Sequence, residues 1–315
     1  MMERWPDFFL VGAMKAGTTS LYDLLGEHPD LYLPREKEPF YFLWPDGQGA
    51  GRFRVPHRRG FIGADSWVVI RTRRQYQDLF RRAGPDQLTG EASTFYLPDP
   101  HVAERIRACV PRARIIAILR DPVDRAYSAY MFQRSLGVEP ARSFEAAIEA
   151  ERRGDRDDWL YGWRHLYCSA YSRQLQRYFR EFGEDRVLVV DFDDLRRDPH
   201  ALARRIFTFL GIDPAVDLSG RPPSNRTAIP VNPWAARAKA LLARPNVVKD
   251  TVKHVLPRSL RRDLRHWGLA LVDRFSAPPP PMTARERDML GELFRPDLER
   301  LQRMLGRSFA GWVNA

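Results

Sequence analysis

Apolar runs and helical spacings alternate along this chain. Four consecutive apolar residues, Phe8 to Val11, predict a short buried strand, and a helical pattern with Leu21, Leu24 and Leu25 follows. After the turn at His28-Pro29-Asp30 comes a short extended stretch over residues 31–34. Residues 88–96 read as a strand running into a site-forming loop, Ala113 to Leu119 as a buried strand, and Arg186 to Asp191 as another. Helices are expected over Trp67 to Ala83, with a strongly basic face, around His101 to Cys109, over Ser143 to Arg152, Leu166 to Phe182 and His200 to Leu210. Asp121 before Pro122 is an N-cap followed by proline in the first helical position, so a further helix starts there. Thr283 and Glu286 form a capping box, and Pro296 is expected to open a last helix that ends at Gly306. Residues 45–65 and 217–232 read as loops, and Pro278 to Pro281 as a stiff spacer.

Strands alternating with helices predict an α/β fold: a P-loop-like central parallel sheet flanked by helices on both faces, with a mostly helical C-terminal part. One domain over residues 1–315 is expected. Its core runs over about 6–215, with a helical acceptor-side or lid region over about 216–315. The last helices are expected to pack back on the sheet.

Composition narrows the partners. The chain has 51 Lys+Arg against 40 Asp+Glu, a net charge of +11, which favours an anionic partner. The arginines are scattered among acids, so no run resembles a nucleic-acid arm. Cys109 and Cys168 suggest neither a disulfide framework nor a cysteine-based zinc site. No secretory leader or run of 18 apolar residues is visible, and a cytoplasmic location is expected. The amphipathic stretch from Val247 to Phe275, with Trp267, Leu269 and Leu271, could cover an acceptor or pack on the core.

The chemistry concentrates in two places. Gly12, Ala13, Lys15, Ala16, Gly17, Thr18, Thr19 and Ser20 lie between the first strand and its helix. Backbone N–H groups at a helix start favour a phosphate-like anion, the lysine adds charge and the hydroxyls add donors. The same residues also fit an ordinary tight strand-to-helix turn. The lysine is misplaced for a nucleotide P-loop, because Gly17 is followed by Thr18. Asp191, closing an apolar strand, resembles the metal-binding acid of ATPases and keeps a P-loop kinase or NTPase open as an alternative. A non-enzymatic basic nucleotide- or RNA-binding protein is the other. The second place is Arg120 to Ser128, where an arginine able to fork onto a phosphate precedes a helix carrying Ser128 two turns on.

Together, the Gly-x-x-Lys-x-Gly-Thr-Thr-Ser loop at 12–20 and the Leu-Arg-Asp-Pro-x-x-Arg-x-x-Ser block at 119–128 resemble the sulfotransferases that use 3′-phosphoadenosine 5′-phosphosulfate (PAPS). The heparan sulfate and related carbohydrate branch, with its soluble bacterial members, is the most similar. Glu36 to Phe42, Gly90 to Tyr96, the Ser169–Tyr178 region and Leu305 to Trp312 extend the resemblance over most of the chain.

The resemblance implies that residues 12–20 hold the 5′-phosphosulfate, with Lys15 at the bridging oxygen and Thr18, Thr19 and Ser20 on the phosphate. Arg120 and Ser128 would hold the 3′-phosphate, and Tyr171 would help wall the nucleotide site. Glu38 falls where the branch has its catalytic base, with Glu36 and Glu91 as alternatives. No metal is expected, and the product would be 3′,5′-adenosine bisphosphate (PAP). The acceptor would be a carbohydrate, lipid or natural-product alcohol. Two departures stand out. Glu91 is followed by Ala92 where the branch commonly carries lysine, and the late nucleotide loop is not evident, leaving Arg226 as its nearest counterpart.

Overall fold

The computed structural model describes residues 4–57, 60–64, 70–218, 229–230, 276–309 and 311–312. Its centre is a five-stranded parallel sheet in the order β2-β5-β1-β6-β7. These strands are β1 (Phe8–Gly12), β2 (Leu31–Tyr32), β5 (Leu88–Ala92), β6 (Arg114–Leu119) and β7 (Val187–Asp191). Every residue of β1 is buried, as a continuous apolar run in the middle of a parallel sheet requires. From β1 the chain goes to the outer position at β2, returns to β5 beside β1, then crosses to β6 and β7 on the other side. That reversal leaves a crevice beyond the C-terminal ends of β5, β1 and β6, where ligands bind in open α/β sheets.

Helices cover both faces. α1 (Thr18–Leu25) lies with α8 (Pro199–Leu210), where the ring of Phe207 meets His28 with centroids 4.5 Å apart. The other set comprises α3 (Val102–Cys109), α4 (Pro122–Ser135), α5 (Phe144–Arg152) and α6 (Tyr171–Phe182). Tyr178 of α6 donates its hydroxyl to the Tyr96 carbonyl beyond β5 at 2.7 Å. The cap expected at Asp121 forms, its carboxylate accepting from Val123 N and Asp124 N, and Asp198 caps α8 ahead of Pro199 in the same way. Gly211 closes α8 with a left-handed φ of 71°. α7 (Phe192–Arg197) fills the corner after β7.

Four expectations need correction. Residues 45–65 are not simply a loop: β3 (Arg54–His57) and β4 (Gly60–Gly63) form an antiparallel hairpin. It is held from far along the chain, by Arg54 N to Asp158 O at 2.8 Å and by the Phe61 ring against Trp159, so no local pattern marks it. The 67–83 helix shrinks, among described residues, to α2 (Arg73–Gln77) and a 3-10 turn at Asp78–Phe80, because Thr72 and Gln75 form a capping box that starts it late. The helix expected from Leu166 begins only at Tyr171. Before it, the Glu151 carboxylate takes the N–H groups of Leu166 and Tyr167, both at 2.8 Å, and residues 167–169 form a 3-10 turn.

Pro296 does not start a new helix but lies inside one, α9 (Ala284–Leu305). Both halves bury apolar side chains, Leu290 and Phe294 before the proline, Leu298 and Leu301 after it. This burial on either side offsets the one missing N–H. α9 packs on α4 and α6: Arg287 bonds Asp124, and Ser172 bonds Asp297 through both its backbone N–H and its hydroxyl. A two-residue strand pair, β8 (Ile229–Pro230) with β9 (Ser276–Ala277), lies before α9. Arg226, most of the 217–232 loop, the amphipathic Val247–Phe275 stretch and residues 67–69 of the basic helix lie outside the described residues. Among the described residues no helix is long and apolar enough to cross a membrane.

Candidate active site

The loop after β1 turns sharply at two glycines. Gly17 is the N-cap of α1 with φ 83°, and a Cβ there would sit 2.7 Å from the Phe192 ring. A Cβ on Gly12 would come 2.8 Å from that of Leu97. The α1 start has no side-chain cap and no acid in its first turn, so its N–H groups and dipole are turned toward the crevice. Lys15 has a left-handed φ of 70°, and its ammonium lies 4.3 Å from the Phe132 ring centroid on α4.

A second lysine, missed in the sequence reading, closes this cradle. Lys37 Nζ donates to the hydroxyls of Thr18 at 3.2 Å and Thr19 at 3.1 Å, and reaches Glu38 Oε1 at 3.4 Å. Its place beside Glu38 in the chain was the one signal that could have flagged it.

Arg120 ends β6 next to the same loop. Its Nη1 donates to the Lys15 carbonyl at 3.3 Å, its guanidinium lies over the Phe192 ring at 5.1 Å, and Asp124 is 3.7 Å away. The two anion-binding blocks read from sequence are therefore joined by a hydrogen bond. Asp124 is shared with Arg287 of α9, which also lies 3.6 Å from Asp121. Burial, followed by the nearby Asp124, pushes the Asp121 carboxyl up to about 6. Ser128 is half-buried on α4, one turn along the same face from Asp124. Tyr171 is buried, and its hydroxyl donates to the Arg120 carbonyl at 2.9 Å, so it braces the β6–α4 corner from behind.

The three carboxylates proposed as bases differ in access. Glu38 lies at the crevice with φ 60°, its N–H donating to the Ala92 carbonyl at 2.9 Å. Thr94 donates its backbone N–H to Glu38 Oε2 at 2.8 Å and its hydroxyl to Oε1 at 3.1 Å. Lys15 and Glu38 are two of the four non-glycine residues with positive φ among the described residues, and strain of this kind concentrates at functional sites. Glu36 is exposed. Glu91 is 1% exposed, sealed behind the site with the phenols of Tyr76 and Tyr96, and burial pushes its carboxyl up to about 8. Glu91 is thus the least accessible of the three carboxylates.

Asp191 is likewise committed. Arg307 forks onto both of its oxygens at 3.0 Å, giving the strand-end acid a structural partner where the NTPase alternative needs a metal ligand. Cys109 and Cys168 are free thiols, the second buried and pushed up to about 12 by that burial.

Comparison with known proteins agrees with this geometry. The profile described as the sulfotransferase family matches residues 6–216. The human bifunctional heparan sulfate N-deacetylase/N-sulfotransferase 3 is 30% identical over 224 residues, 69% of this chain and 23% of that protein. The human N-deacetylase/N-sulfotransferase 2 is 32% identical over 221 residues, 67% of this chain and 22% of that protein. The chain thus spans less than a quarter of the length of these relatives. A sulfotransferase from Alicyclobacillus acidocaldarius superposes with a TM-score of 0.71 at 28% identity, covering 98% of this chain and 99% of that one. With residues 6–216 matched by that family's profile and the whole chain superposing on a bacterial sulfotransferase, the chain belongs to the PAPS-dependent sulfotransferase family.

Proposed function

We propose that the protein moves the sulfuryl group of PAPS to an acceptor hydroxyl by direct in-line transfer, with Glu38 as general base and Lys15 as the charge-stabilising cation. The observation that carries this is the Arg120-to-Lys15 hydrogen bond. It brings a guanidinium against the same loop that cradles an anion, as a ligand with phosphate groups at two ends requires.

The residues fit the donor. The N–H groups at the α1 start, with Gly12, Ala13, Ala16, Gly17, Thr18, Thr19 and Ser20, would bind the 5′ end, and Arg120 and Ser128 the 3′-phosphate. Tyr171 would hold the Arg120 backbone in position. In the transfer, a bond forms between acceptor oxygen and sulfur while the bond from sulfur to the 5′-phosphate oxygen breaks. Glu38 takes the acceptor proton, and the electron pair stays on the phosphate, where Lys15 meets it. Thr94 would keep the Glu38 carboxylate aimed, and positioning and charge stabilisation supply the catalysis. The step needs no metal from this residue set.

The same reading treats residues 1–315 as one domain, supported by the ties of α9 to Asp124 and Ser172 and of Arg307, just beyond it, to Asp191. A cleft of about 350 Å³ lined by Arg52, His101, Arg164 and Tyr167 lies beyond Phe95, whose ring faces Tyr161 at 6.0 Å, and is the candidate acceptor groove. The relatives named as heparan sulfate N-sulfotransferases favour a second reading of the acceptor, an amine on an acidic glycan. Calorimetry with PAP in the absence of magnesium tests the donor, and labelled PAPS against sugars, amino sugars, lipids and phenols tests the acceptor. Binding of Mg·ATP with none of PAP would overturn the proposal in favour of a kinase or NTPase.

A further inference from the structure

We propose that Lys37 is a second cation of the transfer site, contacting the sulfuryl end of the donor between the α1 hydroxyls and the base. The proposal rests on the sulfotransferase reading above and adds a residue that the loop motifs do not contain.

An ammonium has three N–H donors and no acceptor. Lys37 spends them on Thr18, Thr19 and Glu38, two neutral hydroxyl oxygens and one carboxylate. Its side chain is 19% exposed, so it lies in the crevice rather than on the outer surface. A charge-assisted bond to an anion is roughly twice as strong as one between neutral groups. An anionic group arriving at the hydroxyls would therefore take over the ammonium, while Glu38 remains its other neighbour. That puts Lys37 between the two ends of the reaction, the bond that breaks at the cradle and the oxygen that attacks beside Glu38.

The segment carrying Lys37 is held on both sides, as a positioned group requires. Ahead of it, the Tyr22 hydroxyl donates to the Pro34 carbonyl at 2.6 Å. After it, Glu38 N donates to the Ala92 carbonyl at 2.9 Å and Phe42 N to the Tyr96 hydroxyl at 3.0 Å. Ala92 itself is buried and carries no charge beside Glu38, so the positive group there comes from the 34–44 segment. A mere ion pair with Glu38 would leave the ammonium in solvent and be worth little. The two threonine contacts aim it inward.

The test compares affinities of the full chain for PAPS and for PAP, which needs no acceptor. A lost charge-assisted bond is worth about 1.5–3 kcal/mol, so Lys37→Ala and Lys37→Met should each lower the PAPS-to-PAP affinity ratio by roughly tenfold or more. PAP, whose 5′-phosphate also reaches the threonines, should lose clearly less affinity than PAPS, and Lys37→Arg should recover most of the ratio. A purely structural role for the segment would weaken both ligands together. A wild-type ratio in the Met variant, which keeps the side-chain stem, would overturn the assignment of Lys37 alone. Failure of the wild-type chain to bind PAP would instead overturn the sulfotransferase reading beneath it.

Discussion

Thr94 grips Glu38 by both of its oxygens, the backbone N–H at 2.8 Å and the hydroxyl at 3.1 Å. A carboxylate held this way presents one direction to an incoming proton and loses little entropy when it accepts it. Glu38→Gln should therefore remove transfer while PAP binding survives. Thr94→Val keeps the backbone bond and loses the hydroxyl, and should cost on the order of tenfold in turnover, within the range of one general-base contribution. Steady-state turnover alongside PAP calorimetry checks both. Full turnover in Glu38→Gln would move the base to Glu36 or to the acceptor itself.

Arg120 should read the 3′-phosphate. Arg120→Ala is expected to weaken PAP binding by at least roughly tenfold, the worth of a charged hydrogen bond. Adenosine 5′-phosphosulfate, which lacks that phosphate, should bind wild type and variant alike. Arg120→Lys should not restore the loss, since an ammonium cannot reproduce the fork. Equal weakening of both ligands would place Arg120 at the 5′ end instead.

Gly17 is needed for the turn itself. A side chain there meets the Phe192 ring at 2.7 Å in a left-handed conformation, so Gly17→Ala should cost about 1–3 kcal/mol of stability. Chemical denaturation measures this, and the variant should also lose PAP affinity because the α1 start is displaced. Unchanged binding would show that the helix start is not part of the anion site.

Glu91 supplies a pH signature. Its folded value, pushed up to about 8 by burial, lies above the ordinary carboxylate value of 4.5. The folded state therefore holds the proton more tightly than the unfolded one between these values, and stability from this group falls as pH rises from about 4.5 to about 8. Glu91→Gln, which mimics the protonated acid, should melt like wild type at pH 5 and higher than wild type at pH 9, with transfer retained. Parallel melting curves at the two pH values would contradict the buried neutral acid.

Arg307 ties the C-terminal part to the end of β7. Arg307→Ala leaves the partly buried Asp191 carboxylate without its fork, and should cost about 1–3 kcal/mol near neutral pH. The loss should shrink in acid, where Asp191 takes a proton instead. Denaturant melts at pH 7 and pH 4 separate the two cases, and an unchanged midpoint at pH 7 would deny the pair any role in holding α9.

The sheet and the tight turn after β1 were legible in the chain because their signals are local. A run such as Phe8 to Val11 can be buried on both faces only in the middle of a parallel sheet, and Asp121 before Pro122 starts a helix by itself. Gly12 and Gly17 marked that turn through residue type and spacing alone. Contacts between distant segments decided the rest. The β3–β4 hairpin exists through Asp158 and Trp159, α9 runs through Pro296 because both halves find a core, and Asp191 is claimed by an arginine more than a hundred residues later. The same holds for the acid–base assignment: Glu36, Glu38 and Glu91 are equal as letters. Burial separates them, since only tertiary packing leaves Glu38 at the crevice, seals Glu91 among phenols, and swings Lys37 across to the threonines of the opening loop.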